Sequence, residues 1–475
     1  DEPAAIVDVR RRTRCLSAQG RNRRRIERSV ADRVDLEDRT AHRIAVLITQ
    51  EQLERPLFRA IVAIAEKLNR LGMKTNMENI GDPVAKGEKI PLWMKKIVAD
   101  LAMQDCSYAY SATKGVLETR QFLADMTNRR GKTQITAEDI IFFNGLGDAI
   151  QKVYGLLRHE ARVIGPAPTY STHSSAEGSH AGQKPVTYRL DPDNQWYPDL
   201  DDLYLSVKYN PAISGILIIN PDNPTGAVFP ERILREIIDI AKEFNLFIIA
   251  DEIYRNLVYN GQSTKPISDL IDGIPGIAMR GISKDFPWPG SRCGWIEVYN
   301  AESNPIFKRY IQSIVDSKMV EVCSTTLPQK AIPLIMSHPE YPVYLDERRG
   351  NYEKASNLAY DILKQVPGIK VNRTNGAFYM SVVFEADRLT HKQTLPIKNP
   401  EVRSLVEELV AQRGIALDKR FVYYLLGSTG ICVVPISSFC TPELGFRVTL
   451  LEKNEKEFVR VFNTLAESIG AYLNS

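Results

Sequence analysis

The sequence predicts an α/β protein built on a mostly parallel sheet between helix layers, with a smaller α+β domain beside it. Short uninterrupted apolar runs recur along the middle of the chain, at 140–143, 162–164, 215–219, 246–250 and 277–282, and helix-length segments separate most of them. A strand covered on both faces shows no polar alternation, which is the pattern of a parallel sheet packed between helices. The 475 residues, 44% of them hydrophobic, supply a core larger than one small domain needs. After about Tyr344 the pattern changes: a charged helical stretch from Asp346 to Gln365, a strand-like run from Gly376 to Phe384 and a helix around Glu401 to Arg413 mark the second domain.

Upstream of the alternation, Leu53, Leu57, Ile61, Ile64, Leu68 and Leu71 recur at three and four residues, predicting an amphipathic helix that ends near Gly72. The stretch before it stands apart, with twelve arginines by residue 45 and no lysine before Lys67. Acidic residues interleave with those arginines, so the stretch reads as a solvated arm or one draped over a second subunit, not as an acid-poor transit peptide. The expected division is an arm at 1–45, a small domain from 46–87 and 345–475, and a large domain at 88–344. No internal repeat or low-complexity tract interrupts it.

Composition excludes several classes of function. The 61 basic and 58 acidic side chains nearly cancel, so no strong field points to nucleic acid or an acidic membrane surface as partner. No apolar run reaches the ~18 residues of a membrane span. The cysteines at 15, 106, 293, 323, 432 and 440 form no CxxC pair and have no ligand-like neighbours. They fit reduced thiols in a cytoplasmic protein better than a disulfide framework or a metal site.

Ligands of such sheets sit beyond the carboxyl ends of the strands, and here each strand end carries an unusual cluster. The run 140–143 enters Asn144-Gly145-Leu146-Gly147-Asp148, a small-residue turn opening a helix, whose free amides suit a phosphate. The run 215–219 ends in Asn220-Pro221-Asp222-Asn223-Pro224-Thr225-Gly226, where two prolines stiffen a turn that presents Asn223 to the cleft. The run 246–250 ends in Asp251-Glu252-Ile253-Tyr254, and an aspartate there needs a cationic partner or a hydrogen-bond donor if buried. The run 277–282 leads to Ser283-Lys284, with Arg292 eight residues beyond the lysine. A lysine after a buried strand can be desolvated into a nucleophile, and Arg292 can return to the same cleft as a phosphate clamp. Each segment alone also has a plain reading: a connecting turn, an Asx-Pro turn, a helix N-cap, a surface lysine.

In this order and spacing, with the late Gly445-Phe446-Arg447, the clusters resemble the class I/II aminotransferases, fold type I enzymes of pyridoxal 5'-phosphate (PLP) related to aspartate aminotransferase. The resemblance spans roughly residues 75 to 450. It implies a seven-stranded, mostly parallel sheet in the large domain and a homodimer with shared active sites. It implies that Lys284 holds PLP as a Schiff base and shuttles the substrate's proton, and that Asp251 pairs with the pyridine nitrogen. Tyr254 and Asn223 are similar to the pair that bonds the ring oxygen, and Tyr170 to the aromatic ring stacked on the pyridine. The phosphate is then held by the amides of Leu146 and Gly147, by Ser283 and Arg292, and by Tyr110 of the neighbouring subunit. Arg447 resembles the arginine that takes the substrate's α-carboxylate, helped by Asn223 and by the backbone of Gly81.

Two features depart from the family's pattern. Its serine three residues before the lysine is Gly281 here, which leaves Ser283 to compensate, and the stretch from about Ala386 to Gly430 is longer than usual and could shape the substrate entrance. The expected activity is transfer of an amino group from an L-amino acid to a 2-oxo acid. The same scaffold also supports elimination, replacement, decarboxylation or cyclisation of an amino acid such as S-adenosylmethionine. A PLP-sensing DNA-binding regulator would need a longer N-terminal domain than the arm provides.

Overall fold

The computed structural model describes residues 57–475; the arginine-rich arm expected at 1–45 and the start of the first helical pattern lie outside the described residues. The chain opens with α1 (Leu57–Arg70), β1 (Asn76–Met77), α2 (Leu92–Ala102) and α3 (Leu117–Asn128). The expected alternation follows: β2 (Ile140–Phe143), α4 (Leu146–Gly155), β3 (Arg162–Ala167), α5 (Ser171–Ala181), β4 (Thr187–Asp191) and β5 (Tyr197–Pro198). It continues through α6 (Leu200–Tyr209), β6 (Ile213–Ile219), α7 (Glu231–Glu243), β7 (Phe247–Asp251), β8 (Gly276–Gly281), the single turn α8 (Ile282–Asp285) and β9 (Gly294–Tyr299). Helices α9 (Pro305–Met319), α10 (Thr326–Met336) and α11 (Glu340–Leu363) lead to β10 (Ile369–Val371) and β11 (Tyr379–Phe384). The remainder is α12 (Pro400–Val410), α13 (Leu417–Thr429), β12 (Ile431–Cys432), β13 (Val434–Pro435), β14 (Gly445–Thr449) and α14 (Glu455–Leu473).

The large sheet runs β2-β9-β8-β7-β6-β3-β4, and the two-residue β5 extends its edge as a hairpin. β9 is antiparallel to both its neighbours, and the other six of these seven strands share one direction. Its strands alternate in what they bury, since successive side chains leave a strand on opposite faces. Phe142, Ile216, Ile218, Ile248 and Ala250 pack into one apolar layer, while Ile141, Phe143, Leu217, Ile219, Ile249 and Ile277 pack into the other. Each fully buried aliphatic side chain contributes about 1.5–3 kcal/mol, so both helix layers are held on by the same strands.

The smaller sheet is antiparallel, in the order β10-β11-β14-β13, and β1 pairs separately with β12. Its core joins Ile61 and Leu68 of α1 to Leu363 of α11, Phe421 and Leu425 of α13, and Phe462 and Leu465 of α14. Helices α12 and α13 carry most of the long stretch from Ala386 to Gly430, and Val402, Val406 and Phe421 bury it in that core. Among the described residues no helix is long and apolar enough to cross a membrane.

Candidate active site

A cavity of about 350 Å³ opens beyond the carboxyl ends of β6, β7 and β8. Strand register brings its central groups level, with Ile219 paired to Asp251 and Asp251 to Met279. Leu146, Gly147, Tyr170, Asn223, Asp251, Tyr254, Ser283, Lys284 and Arg292 all line it.

One end gathers positive charge. α4 begins there, and the N–H groups at its start carry the positive end of the helix dipole. Gly145 caps it at φ +85°, and a Cβ at that position would lie 2.5 Å from Arg292 Nη2. Glycine therefore serves both the backbone angle and the approach of the guanidinium to the helix start. Ser283 adds a hydroxyl to the lining. At Gly281 an added Cβ would meet the carbonyl oxygen of Cys293 at 3.0 Å and Ile253 Cδ1 at 3.2 Å, so the strand end is closely packed where the family places serine.

Asp251 closes the floor. It is buried, its Oδ1 accepts from the N–H of Ile253 at 3.1 Å, and its Oδ2 lies 3.1 Å from Nε2 of His173. The other ring nitrogen of His173 lies 3.3 Å from the hydroxyl of Tyr154, so a buried relay fixes the carboxylate. Half-buried Tyr170 stands just before α5, the helix that carries His173.

Lys284 projects from α8, and its Nζ donates to the carbonyl oxygen of Gly81 at 2.8 Å. Burial pulls the amine from its ordinary value down to about 8, outweighing the opposing pull of Asp82 and Asp251, and Arg447 and Arg348 push the same way. The lysine's backbone is clamped as well: Arg348 Nη1 donates to the carbonyl oxygens of Lys284 and Asp285 at 2.7 and 3.0 Å. Arg348 Nε in turn pairs with Glu88 at 2.5 Å, and Tyr352 donates to the same carboxylate at 2.8 Å. Burial drives Glu88 upward, but Arg348, Lys453 and Tyr352 together hold it below the usual carboxylate range.

Arg447, on β14, extends the site on the small-sheet side. It is 4% exposed, donates from Nη1 to Asn223 Oδ1 at 3.2 Å and from Nη2 to the carbonyl oxygen of Asn79 at 2.6 Å, and its Nε has no acceptor. Burial lowers its pKa, and among the described residues no carboxylate forms an ion pair with it. A buried guanidinium with a spare donor and no acid partner has the chemistry to accept a carboxylate.

Arg447 and Gly81 thus join the site through hydrogen bonds to Asn223 and Lys284, although neither lines the cavity. Tyr110 does not reach it in this chain and stands 83% exposed on the loop after α2. No residue of 386–430 lines the cavity. Sequence reasoning missed His173, Tyr379 and the Glu88–Arg348 pair. The histidine had a signal, since it follows Tyr170 by three residues in the first turn of the helix that Tyr170 precedes; the others are joined only by the fold. Among the described residues no cluster of three or more His, Cys, Asp or Glu side chains is placed to hold a metal ion.

Residues 79–462 match the family described as aminotransferase class I and II. An aminotransferase of Methanocaldococcus jannaschii is 58% identical over 417 residues, covering 88% of this chain and 96% of its own. The glutamate-pyruvate aminotransferase AlaA of Escherichia coli is 31% identical over 326 residues, covering 68% of this chain and 78% of its own. Among solved structures, an alanine aminotransferase from Pyrococcus furiosus superposes with a TM-score of 0.74 at 26% identity, covering 88% of this chain and 96% of that one. An aminotransferase from Escherichia coli does so with the same score and identity, covering 87% and 94%. The chain belongs to the class I and II aminotransferase family.

Proposed function

We propose that this aminotransferase holds PLP in the cavity described above, covalently on Lys284, and moves an amino group from an L-amino acid to a 2-oxo acid. The observation that carries the reading is a half-buried lysine, its amine lowered to about 8, set between a helix start with an arginine and a second arginine that lacks an acid partner. The residues fit the cofactor: Gly145 leaves a cradle that a Cβ would fill, and Asp251 is a buried acid already oriented by His173. Leu146, Gly147, Ser283 and Arg292 would hold the phosphate, Asp251 the ring nitrogen, Tyr254 and Asn223 the ring oxygen, and Tyr170 would cover the ring. When bound, PLP supplies an aldehyde that condenses with amines and a ring that takes up the electron pair left at the substrate's α-carbon.

The protein's own groups do the rest. Arg447, steadied by Asn223, would bind the α-carboxylate in a two-pronged fork and so fix which substituent of the α-carbon faces Lys284. The Nζ of Lys284, part neutral at physiological pH, would take the proton from the α-carbon and return it elsewhere. Asp251 would hold positive charge at the ring nitrogen, while the buried walls exclude water.

The same reading includes a homodimer in which Tyr110 reaches the partner's phosphate site, a small domain of 46–87 and 345–475 beside a large domain of 88–344, and a cytoplasmic location. Exposed Met103, Tyr108 and Tyr110 precede α3, and Met319, Val320 and Val322 precede α10; exposed apolar side chains of this size support subunit contact. The cytoplasmic location rests on the scattered cysteines of the sequence.

The named relatives make glutamate and pyruvate the first pair to assay. Incubation with both is expected to yield 2-oxoglutarate and alanine in equal amounts. Loss of carbon dioxide or of a side-chain fragment, with no keto acid from a broad amino-acid panel, would contradict the reading.

A further inference from the structure

Tyr379 opens β11 and touches three groups assigned above to the substrate and cofactor. Its ring lies 4.5 Å from the guanidinium carbon of Arg447. Its hydroxyl accepts from the hydroxyl of Tyr254 at 3.1 Å. That same hydroxyl occupies the space beside Gly81, where an added Cβ would come within contact distance of it, and Gly81 is the residue whose carbonyl holds Lys284 Nζ. The tyrosine is 3% exposed and lines the cavity, and β11 pairs with β14 so that Ser381 faces Arg447.

The ring and the hydroxyl have separable effects. A ring face attracts a guanidinium without accepting its N–H donors in the plane. Tyr379 can therefore hold Arg447 in place and leave the fork free, where an acid would have neutralised it. The hydroxyl acts on Tyr254. A phenol that accepts from Tyr254 can turn and donate to it once Tyr254 gives its own proton to an incoming oxygen, and a donor behind a donor strengthens the front bond.

We propose that Tyr379 is a positioning residue with two tasks: its ring face orients Arg447 for the α-carboxylate of the substrate, and its hydroxyl backs the hydrogen bond that Tyr254 gives to the cofactor's ring oxygen. The inference rests on the reading that PLP sits on Lys284.

The test compares wild type, Tyr379→Phe and Tyr379→Leu as holoenzymes. One readout is the dissociation constant of 2-methylalanine, an amino acid with no hydrogen on its α-carbon, followed by absorbance. The other is the pH midpoint of the bound cofactor's absorbance. The Phe variant keeps the ring, so its dissociation constant stays within about twofold of wild type. Its midpoint rises by about half a unit or more, because weaker donation from Tyr254 stabilises the deprotonated form less. The Leu variant also loses affinity by about 5- to 30-fold, the size of a desolvated cation–π contact, and its KM for the amino acid rises more than its kcat falls. Should the Leu variant not fold, Tyr379→Met, closer in length, carries the same expectation. An unchanged midpoint in the Phe variant, or equal affinity in the Phe variant and whichever ring-deletion variant folds, overturns the inference. Wild type that takes no borohydride-fixed cofactor on Lys284 defeats the underlying reading instead.

Discussion

Burial gives Lys284 and Arg447 different tasks. For the lysine it strips the proton at a pH the cell reaches; for the arginine, whose charge survives, it leaves a cation in need of an anion. The lysine's shift sets a rate profile: below about 8 its amine is protonated and cannot condense with an aldehyde. Uptake of PLP by cofactor-free protein is therefore expected to quicken with pH up to about 8 and then level off, followed by stopped-flow absorbance. A rate that keeps climbing toward 10.5 would mean an ordinary exposed lysine. Asp251→Asn preserves shape and removes charge, so transamination should fall by about 10²- to 10³-fold with PLP still bound, the scale of one preorganised electrostatic interaction. Both residues were legible in the sequence because each ends an apolar run, where a polar side chain is conspicuous. Tyr379 was not, since an aromatic residue at the head of a buried strand looks like core until its hydroxyl is placed against Tyr254.

At the level of elements, the start of α4 and the segment between β1 and α2 hold the site in register. Gly145→Ala would place a side chain at φ +85° and ψ 162° against Arg292, in a backbone region essentially confined to glycine, at a cost of about 1–3 kcal/mol. PLP binding measured by equilibrium dialysis should weaken by about tenfold or more, since 1.4 kcal/mol is one decade. The Glu88–Arg348 pair ties the segment before α2 to the backbone of Lys284 through α11. Removing one partner leaves a buried charge uncompensated, so Arg348→Met should lower the unfolding free energy in urea by about 3–5 kcal/mol. A change below about 1 kcal/mol would mean that water already reaches the pair. The central strands were legible to within a few residues because apolar runs mark them. The clamp was not, since Glu88 and Arg348 lie far apart in sequence and each looks like a solvated charge until the fold buries them together.

Across the whole molecule, two sheets and their helices place Arg447 of the smaller sheet against Asn223 of the larger one, so the site depends on both. The α/β class followed from run length and spacing, and the second domain from the change in pattern after Tyr344. The role of 386–430 did not, because Val402, Val406 and Phe421 show their common core only when α12 and α13 pack with α1 and α14. Exposed side chains such as Tyr110 at 83% and Val320 at 87% predict that the protein sediments at twice its chain mass at micromolar concentration; a fully active monomer would contradict the proposal that subunits share their sites. The most direct test of the account is to incubate the purified protein with PLP, reduce it with borohydride and map the peptides by mass spectrometry. The account predicts one pyridoxyl group, on Lys284; a tag on another lysine, or none at all, would contradict it.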